Sequence, residues 1–212
     1  MPVIGFINQK GGCGKSTAAV HYICWLKQQG RKVFLVDSDA QRTSSQWVES
    51  LQRDIPYKAI PEPDQILEEL PKLMEMYEWV VVDAPAALSE ATRAVVLWCD
   101  LAVIPCQPTG VDLSSASDTV RLVRQAQAIR KGQPKALMFI SRAIQGTRLK
   151  GEAVQFLQQI PDVTPVPQVI HQRQIVADAY GQASSVFDLS GKAAKEASEE
   201  YDSLFKVMES AL

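Results

Sequence analysis

Val3-Ile4-Gly5-Phe6-Ile7-Asn8-Gln9-Lys10-Gly11-Gly12-Cys13-Gly14-Lys15-Ser16-Thr17 joins an apolar run, a glycine-rich turn and the start of a helical pattern. A strand leading through glycines into a helix is the local context of a phosphate-binding loop. The glycines leave no Cβ between backbone N–H groups and an anion. The helix opening near Ser16 adds unpaired N–H donors and a positive dipole end. Lys15 is placed to reach the β and γ phosphates of a nucleotide, and the Ser16 hydroxyl to complete a Mg²⁺ shell. Gly11, Gly12, Cys13, Gly14, Lys15, Ser16 and Thr17 are therefore the expected nucleotide-binding residues. The run departs from G-x-x-x-x-G-K-[ST] in its first position, where Gln9 stands, and Lys10 follows it.

Outward from this loop the chain alternates strands and helices. Val3–Ile7, Val33–Val36, Trp79–Val82, Leu101–Ile104, Ala136–Ile140 and Val163–Ile170 read as strands, the last interrupted by Pro165 and Pro167. Between them, apolar residues at helical spacing mark Ser16–Gln29, a helix carrying Trp47 and Val48, another with Ile66, Leu67, Leu70 and Leu73 inward, Ser89–Cys99, Leu113–Lys131 and Glu152–Gln159. Arg173–Tyr180 and Lys192–Leu212 close the chain as helices. Thr43 or Ser44, and Asp64, are candidate helix caps. Apolar strands separated by helices predict an α/β fold, a doubly wound and mostly parallel sheet flanked by helices. No linker or repeat interrupts it, so residues 1–212 read as one domain.

The 212 residues suffice for one sizeable core. Charged residues at 22% and hydrophobic ones at 46% exclude a disordered or collagen-like chain. Cys13, Cys24, Cys99 and Cys106 show no Cys-x-x-Cys spacing and fit a reducing cytoplasm. The first residues read as a strand and not as a signal peptide, and no apolar stretch reaches the length of a membrane span. The net charge of −2 conceals a basic middle: residues 121–173 hold nine Lys/Arg against two Asp/Glu. That segment is either a polyanion-binding surface or a set of solvated helix faces.

Acidic residues follow the strands. Asp37-Ser38-Asp39-Ala40-Gln41 follows the second, Asp83-Ala84-Pro85 the third, and Pro105-Cys106-Gln107-Pro108-Thr109-Gly110-Val111-Asp112-Leu113 the fourth. Ligand chemistry in such sheets gathers at the carboxyl ends of the strands. Lys10–Thr17 resembles the deviant Walker A motif, K-G-G-x-G-K-[ST], of the ParA/MinD superfamily of P-loop NTPases. The three acidic stretches are similar to that family's V-D-x-D-P-Q element, with Ala40 in place of proline, its Walker B strand, and its P-x-x-P-[ST]-x-x-D-[LF] loop.

The resemblance implies ATP and Mg²⁺ as cofactors. It implies catalytic roles for Lys10, Lys15 and Asp39, with Lys10 reaching the phosphates bound by a second subunit in an ATP sandwich homodimer. Ser16, Asp39 and Asp83 are then the metal-site residues, Asp39 ordering the attacking water. Asp112 lies near the nucleotide, or else caps the helix that follows it. Pro165–Gln168 and the loop around Ser184–Asp188 are plausible parts of the adenine pocket.

Within that family the resemblance implies a short ParA-type ATPase, cytoplasmic and nucleoid-associated. It would bind duplex DNA without sequence preference and position a cargo, a plasmid or a carboxysome-like body, through a ParB-like or McdB-like adaptor, without a membrane. No operator-binding domain is expected before Lys10. The candidate DNA-contacting residues are Arg121, Arg124, Lys131, Arg148, Lys150 and Arg173, the first three on one helix face. A division-site regulator of MinD type needs a basic amphipathic C-terminal helix, whereas Lys192–Leu212 carries three Lys against five Asp/Glu. A cluster-bearing relative of the nitrogenase iron protein would use cysteines such as Cys99 and Cys106, which read better as buried thiols. A P-loop metabolic ligase has no use for Lys10. His21 is expected on a surface or half-buried.

Overall fold

The apolar runs pair into one seven-stranded sheet in which every neighbouring pair is parallel, in the order β3-β2-β4-β1-β5-β6-β7. The computed structural model describes residues 1–212, apart from the side chains of residues 148–150. The strands are β1 (Val3–Phe6), β2 (Val33–Asp37), β3 (Tyr57–Ala59), β4 (Trp79–Asp83), β5 (Leu101–Cys106), β6 (Lys135–Ala143) and β7 (Thr164–His171). Parallel strands need crossovers, and the helices supply them: α1 (Lys15–Gln28), α2 (Thr43–Ser50), α3 (Pro63–Met76), α4 (Glu90–Trp98), α5 (Gly110–Ile129), α6 (Arg148–Leu157), α7 (Gln174–Gly181) and α8 (Lys192–Ser210).

Because side chains alternate along a strand, the sheet separates two cores. One face packs Val80, Val82, Ala102 and Ile104 against α3, α4, α5 and α6. The other packs Ile4, Phe6, Val81 and Val103 against α1, α2, α7 and α8. Burial on both faces explains why the central strands are continuously apolar. Gly5 lets α4 approach β1: a Cβ there would meet Val95 Cγ1 at 3.0 Å.

The edges differ from the interior. β3 has three residues, two of them exposed, and its Tyr-Lys-Ala composition carried no strand signal. At the other edge, β7 keeps its pairing with β6 despite Pro165 and Pro167, which an edge strand tolerates. Pro105 lies within β5, beyond the last β1 pairing at Phe6 and Val103, so on that side its missing N–H costs no ladder bond. Helix starts also shift. Ser89 caps α4, with its hydroxyl accepting from Thr92 N at 3.3 Å. Thr109 caps α5, which begins at Gly110, three residues ahead of the expected Leu113. Neither Thr43 nor Asp64 is a cap; α2 follows Arg42 in a left-handed conformation, and α3 opens on Pro63, which suits a first turn. Leu67 is 39% exposed, unlike its neighbours Ile66 and Leu70.

Candidate nucleotide-binding site

The loop between β1 and α1 lies at the carboxyl end of the sheet, where β1 is flanked by β4 and β5. Gly12 at φ +73 and Gly14 at φ +95 hold conformations that a Cβ would strain. Gly14 then serves as the residue before the first turn of α1.

The loop's carbonyls are tethered. Gly12 O accepts from Arg142 Nη1 at 2.6 Å and from Gln107 Nε2 at 3.0 Å. Cys13 O accepts from Ser141 Oγ at 2.6 Å. Lys10 O accepts from Lys15 Nζ at 3.1 Å and from Cys13 Sγ at 3.2 Å. Asn8 supports the entry to the loop, accepting from Lys10 N at 3.0 Å and donating to Pro105 O at 2.7 Å.

The loop borders a cavity of about 460 Å³, whose lining includes Lys15, Ser16, Thr17, Asp39, Arg142 and Tyr201. Behind it, register places Asp37 of β2 beside Asp83 of β4. Asp37 is an anchor: its Oδ1 accepts from Asp39 N at 3.1 Å and its Oδ2 from Ser45 N at 2.8 Å, which docks the start of α2. Asp39 is half-buried, lines the cavity, and accepts from Gln41 N at 2.9 Å.

Asp83 is wholly buried, and among the described residues neither carboxylate oxygen has a regular hydrogen-bond partner. Burial pushes its pKa up to about 7, the Asp37 carboxylate adding to the rise while the nearby Ser16 and Ser44 hydroxyls and the Lys15 ammonium draw it back. A buried, unsatisfied carboxylate is costly unless something charged meets it. The donor set is hard oxygen, Asp83 with the hydroxyl of Ser16 beside it, and it fits Mg²⁺.

Lys10 is half-buried, and among the described residues no carboxylate lies within ion-pair distance of it. Asp112 is held at the start of α5: the Thr109 hydroxyl donates to its carboxylate, and its N–H donates to Thr109 Oγ1 at 3.2 Å. It is not among the cavity-lining residues, and it is not the helix cap either: it sits in the first turn of α5, which Thr109 caps.

The basic segment is largely committed to pairs. Arg121 meets Asp118 at 2.8 Å on the exposed side of α5. Arg124 meets Asp162 at 2.7 Å and donates to Pro161 O at 3.0 Å. Lys131 lies beyond the end of α5 at φ +55, so it does not share a helix face with those two as expected. Arg173 donates to Glu196 at 2.6 Å and to Glu200 at 2.7 Å, and Glu200 also accepts from His171 Nδ1 at 2.8 Å. That pairing sets Arg173 in an ion-pair network at the cavity wall. The side chains of Arg148 and Lys150 lie outside the described residues.

His21 corrects the sequence expectation. It is completely buried and stacks on Tyr201 at 4.6 Å. Its Nδ1–H donates to Thr17 O at 2.7 Å, and its Nε2 accepts from Val186 N at 3.2 Å. Burial holds its pKa down at about 4. Cys99 and Cys106 are fully buried, and burial raises both thiols to about 12. Leu204, Phe205 and Met208 of α8 are spent in the core. No helix among the described residues is long and apolar enough to cross a membrane.

Sequence reasoning missed Gln107, Ser141 and Arg142. Gln107 lies in a stretch the sequence marked but without a role of its own, and nothing in the local pattern marks Ser141 or Arg142, because these roles depend on where β5 and β6 end beside the loop.

Comparison with known proteins agrees with this geometry. The chain is 30% identical over 203 residues to the maintenance of carboxysome distribution protein A of Halothiobacillus neapolitanus, covering 91% of this chain and 89% of that one. It is 30% identical over 202 residues to the protein of the same description from Gloeobacter kilaueensis, covering 94% and 90%. In structure it resembles a Cyanothece McdA variant solved as an ATP complex, with a TM-score of 0.80 at 15% identity over 99% of this chain and 96% of the other. Residues 4–186 match the family described as the CobQ/CobB/MinD/ParA nucleotide binding domain. With the loop, its two aspartate-ended strands and this match in agreement, the chain belongs to the CobQ/CobB/MinD/ParA nucleotide-binding family.

Proposed function

We propose that this chain is a Mg²⁺-dependent ATP hydrolase of ParA type, cytoplasmic and nucleoid-associated. It would alternate between a monomer and an ATP-bound homodimer, ride on duplex DNA and position a cargo with an adaptor that stimulates hydrolysis. The observation that carries the chemistry is the grouping of Lys15, Ser16 and the unsatisfied Asp83 carboxylate at one end of the sheet. Similarity to carboxysome distribution proteins over nine-tenths of both chains supports the cargo reading, with a carboxysome-like body ahead of a plasmid.

Ser16 and Asp83 would hold Mg²⁺, which supplies charge neutralisation at the phosphates. Gly11, Gly12, Cys13, Gly14 and Thr17 present backbone donors to the nucleotide, and Lys15 stabilises charge developing on the γ-phosphate. Asp39, open to the cavity, orders the attacking water. The Lys10 ammonium, free of a carboxylate partner among the described residues, serves the nucleotide of the second subunit. Arg121 and Lys131 contribute to DNA binding, since exposed ion pairs such as Arg121–Asp118 exchange readily for phosphate.

The test is binding to random-sequence duplex DNA with ATP, with ADP and without nucleotide, beside light scattering for the dimer. Wild type should bind DNA and dimerise only with ATP. Lys10→Ala should lose both, and Arg121→Ala with Lys131→Ala should lose DNA binding alone. DNA binding that ignores nucleotide, or no dimer with ATP, would overturn the proposal.

A further inference from the structure

The end of β6 departs from regular pairing. Ile140 pairs with Val169 and Ala143 with His171, so two residues, Ser141 and Arg142, face the single Ile170 of β7. This is a β-bulge, a device that re-aims side chains and recurs beside functional sites. Arg142 within it has φ +53, a left-handed conformation unfavourable for a residue with a Cβ. The two bulged residues bond neighbouring carbonyls of the phosphate loop, Ser141 to Cys13 O and Arg142 to Gly12 O, both at 2.6 Å. Arg142 lines the nucleotide cavity, is exposed, and among the described residues forms no ion pair with a carboxylate.

We infer that Arg142 is a positioning residue for nucleotide binding, its guanidinium fixing the Gly12 carbonyl and with it the loop's donors. The physical link is peptide planarity. In a trans peptide the N–H points opposite to the C=O, so clamping Gly12 O fixes the Cys13 N–H, and clamping Cys13 O fixes the Gly14 N–H. A charged donor makes the stronger clamp, and Gln107, just past the end of β5, completes it at 3.0 Å. Glycine φ values of +73 and +95 make the loop pliable, so a tether from outside is what gives it one shape. Strain held at Arg142 and exerted on the loop is the pattern of backbone strain retained for function.

The inference rests on the nucleotide-site reading, and the test separates the two. ATP and ADP affinities and melting temperature would be measured for wild type, Arg142→Gly, Arg142→Ala and Lys15→Ala. Glycine accepts φ +53 without strain and alanine does not, while both remove the guanidinium. Both Arg142 variants should bind ATP and ADP about tenfold more weakly. The two nucleotides should weaken by the same factor, because the loop grips what they share. Arg142→Gly should melt no lower than wild type, and Arg142→Ala below Arg142→Gly. Affinities within twofold of wild type in both variants would overturn the inference. So would a lower melting temperature in Arg142→Gly with unchanged affinity, the mark of a purely structural residue. If Lys15→Ala binds nucleotide like wild type, the site reading itself fails.

Discussion

At the scale of single residues, position in the cavity separates binding from chemistry. Lys15 is almost buried and folded over the loop, donating to Lys10 O. Lys15→Ala should abolish detectable nucleotide binding in a fluorescent-nucleotide titration. Asp39 is half-buried at the cavity wall, outside the loop. Asp39→Ala should bind ATP as wild type does while turnover falls about 100-fold or more; normal turnover would remove its water-positioning role. The loop and both aspartates were legible in the sequence because each depends on local order: a strand, then the residue that ends it. Asp37 carried no role in the sequence, since only the docking of Ser45 N on it shows that it is an anchor. The ion pairs of Arg173 were not legible, because a basic residue in a basic segment gives no sign of Glu196 and Glu200, which lie more than twenty positions away.

Between elements, fit decides. α4 reaches β1 over Gly5, and the Cβ of an alanine would stand 3.0 Å from Val95 Cγ1, in a core where Val95 is fully buried. Gly5→Ala should cost about 1–3 kcal/mol in urea denaturation, the usual range for overpacking, with nucleotide affinity retained because the loop is untouched. The central strands and long helices were readable from apolar runs and spacing. β3 was not, because three residues at an edge have only one neighbouring strand to form on. The shared face proposed for Arg121, Arg124 and Lys131 failed for a similar reason. α5 stops at Ile129, and no apolar periodicity marks that stop.

Over the whole molecule, His21 ties α1 to the segment around Val186 and to Tyr201 of α8. The imidazole must stay neutral to accept from Val186 N, and burial holds its folded pKa at about 4 against the ordinary 6.5 of a free imidazole. The unfolded chain therefore takes up a proton that the folded chain refuses. His21's contribution to stability is complete above about pH 6.5 and declines toward pH 4, by as much as ~3 kcal/mol. Chemical denaturation at pH 7.5 and pH 5 should show this loss in wild type, and His21→Gln should show a smaller difference between the two. Equal pH dependence would mean that other groups carry it. No sequence pattern gave this role, because the partners sit 165 and 180 positions from His21 and meet it only once the second core closes.

The sheet's two margins have a consequence for assembly. One ends in a three-residue strand and the other carries two prolines, so neither margin is a template on which a second copy extends the sheet. Copies of this chain are left to meet through loops or helices. The rim that holds the glycine turn is loop-built, and a polyphosphate held there would change its charge. Self-association routed there, as proposed above, would be conditional on fuel, and margins closed in this way do not invite the unconditional fibres that open ones do.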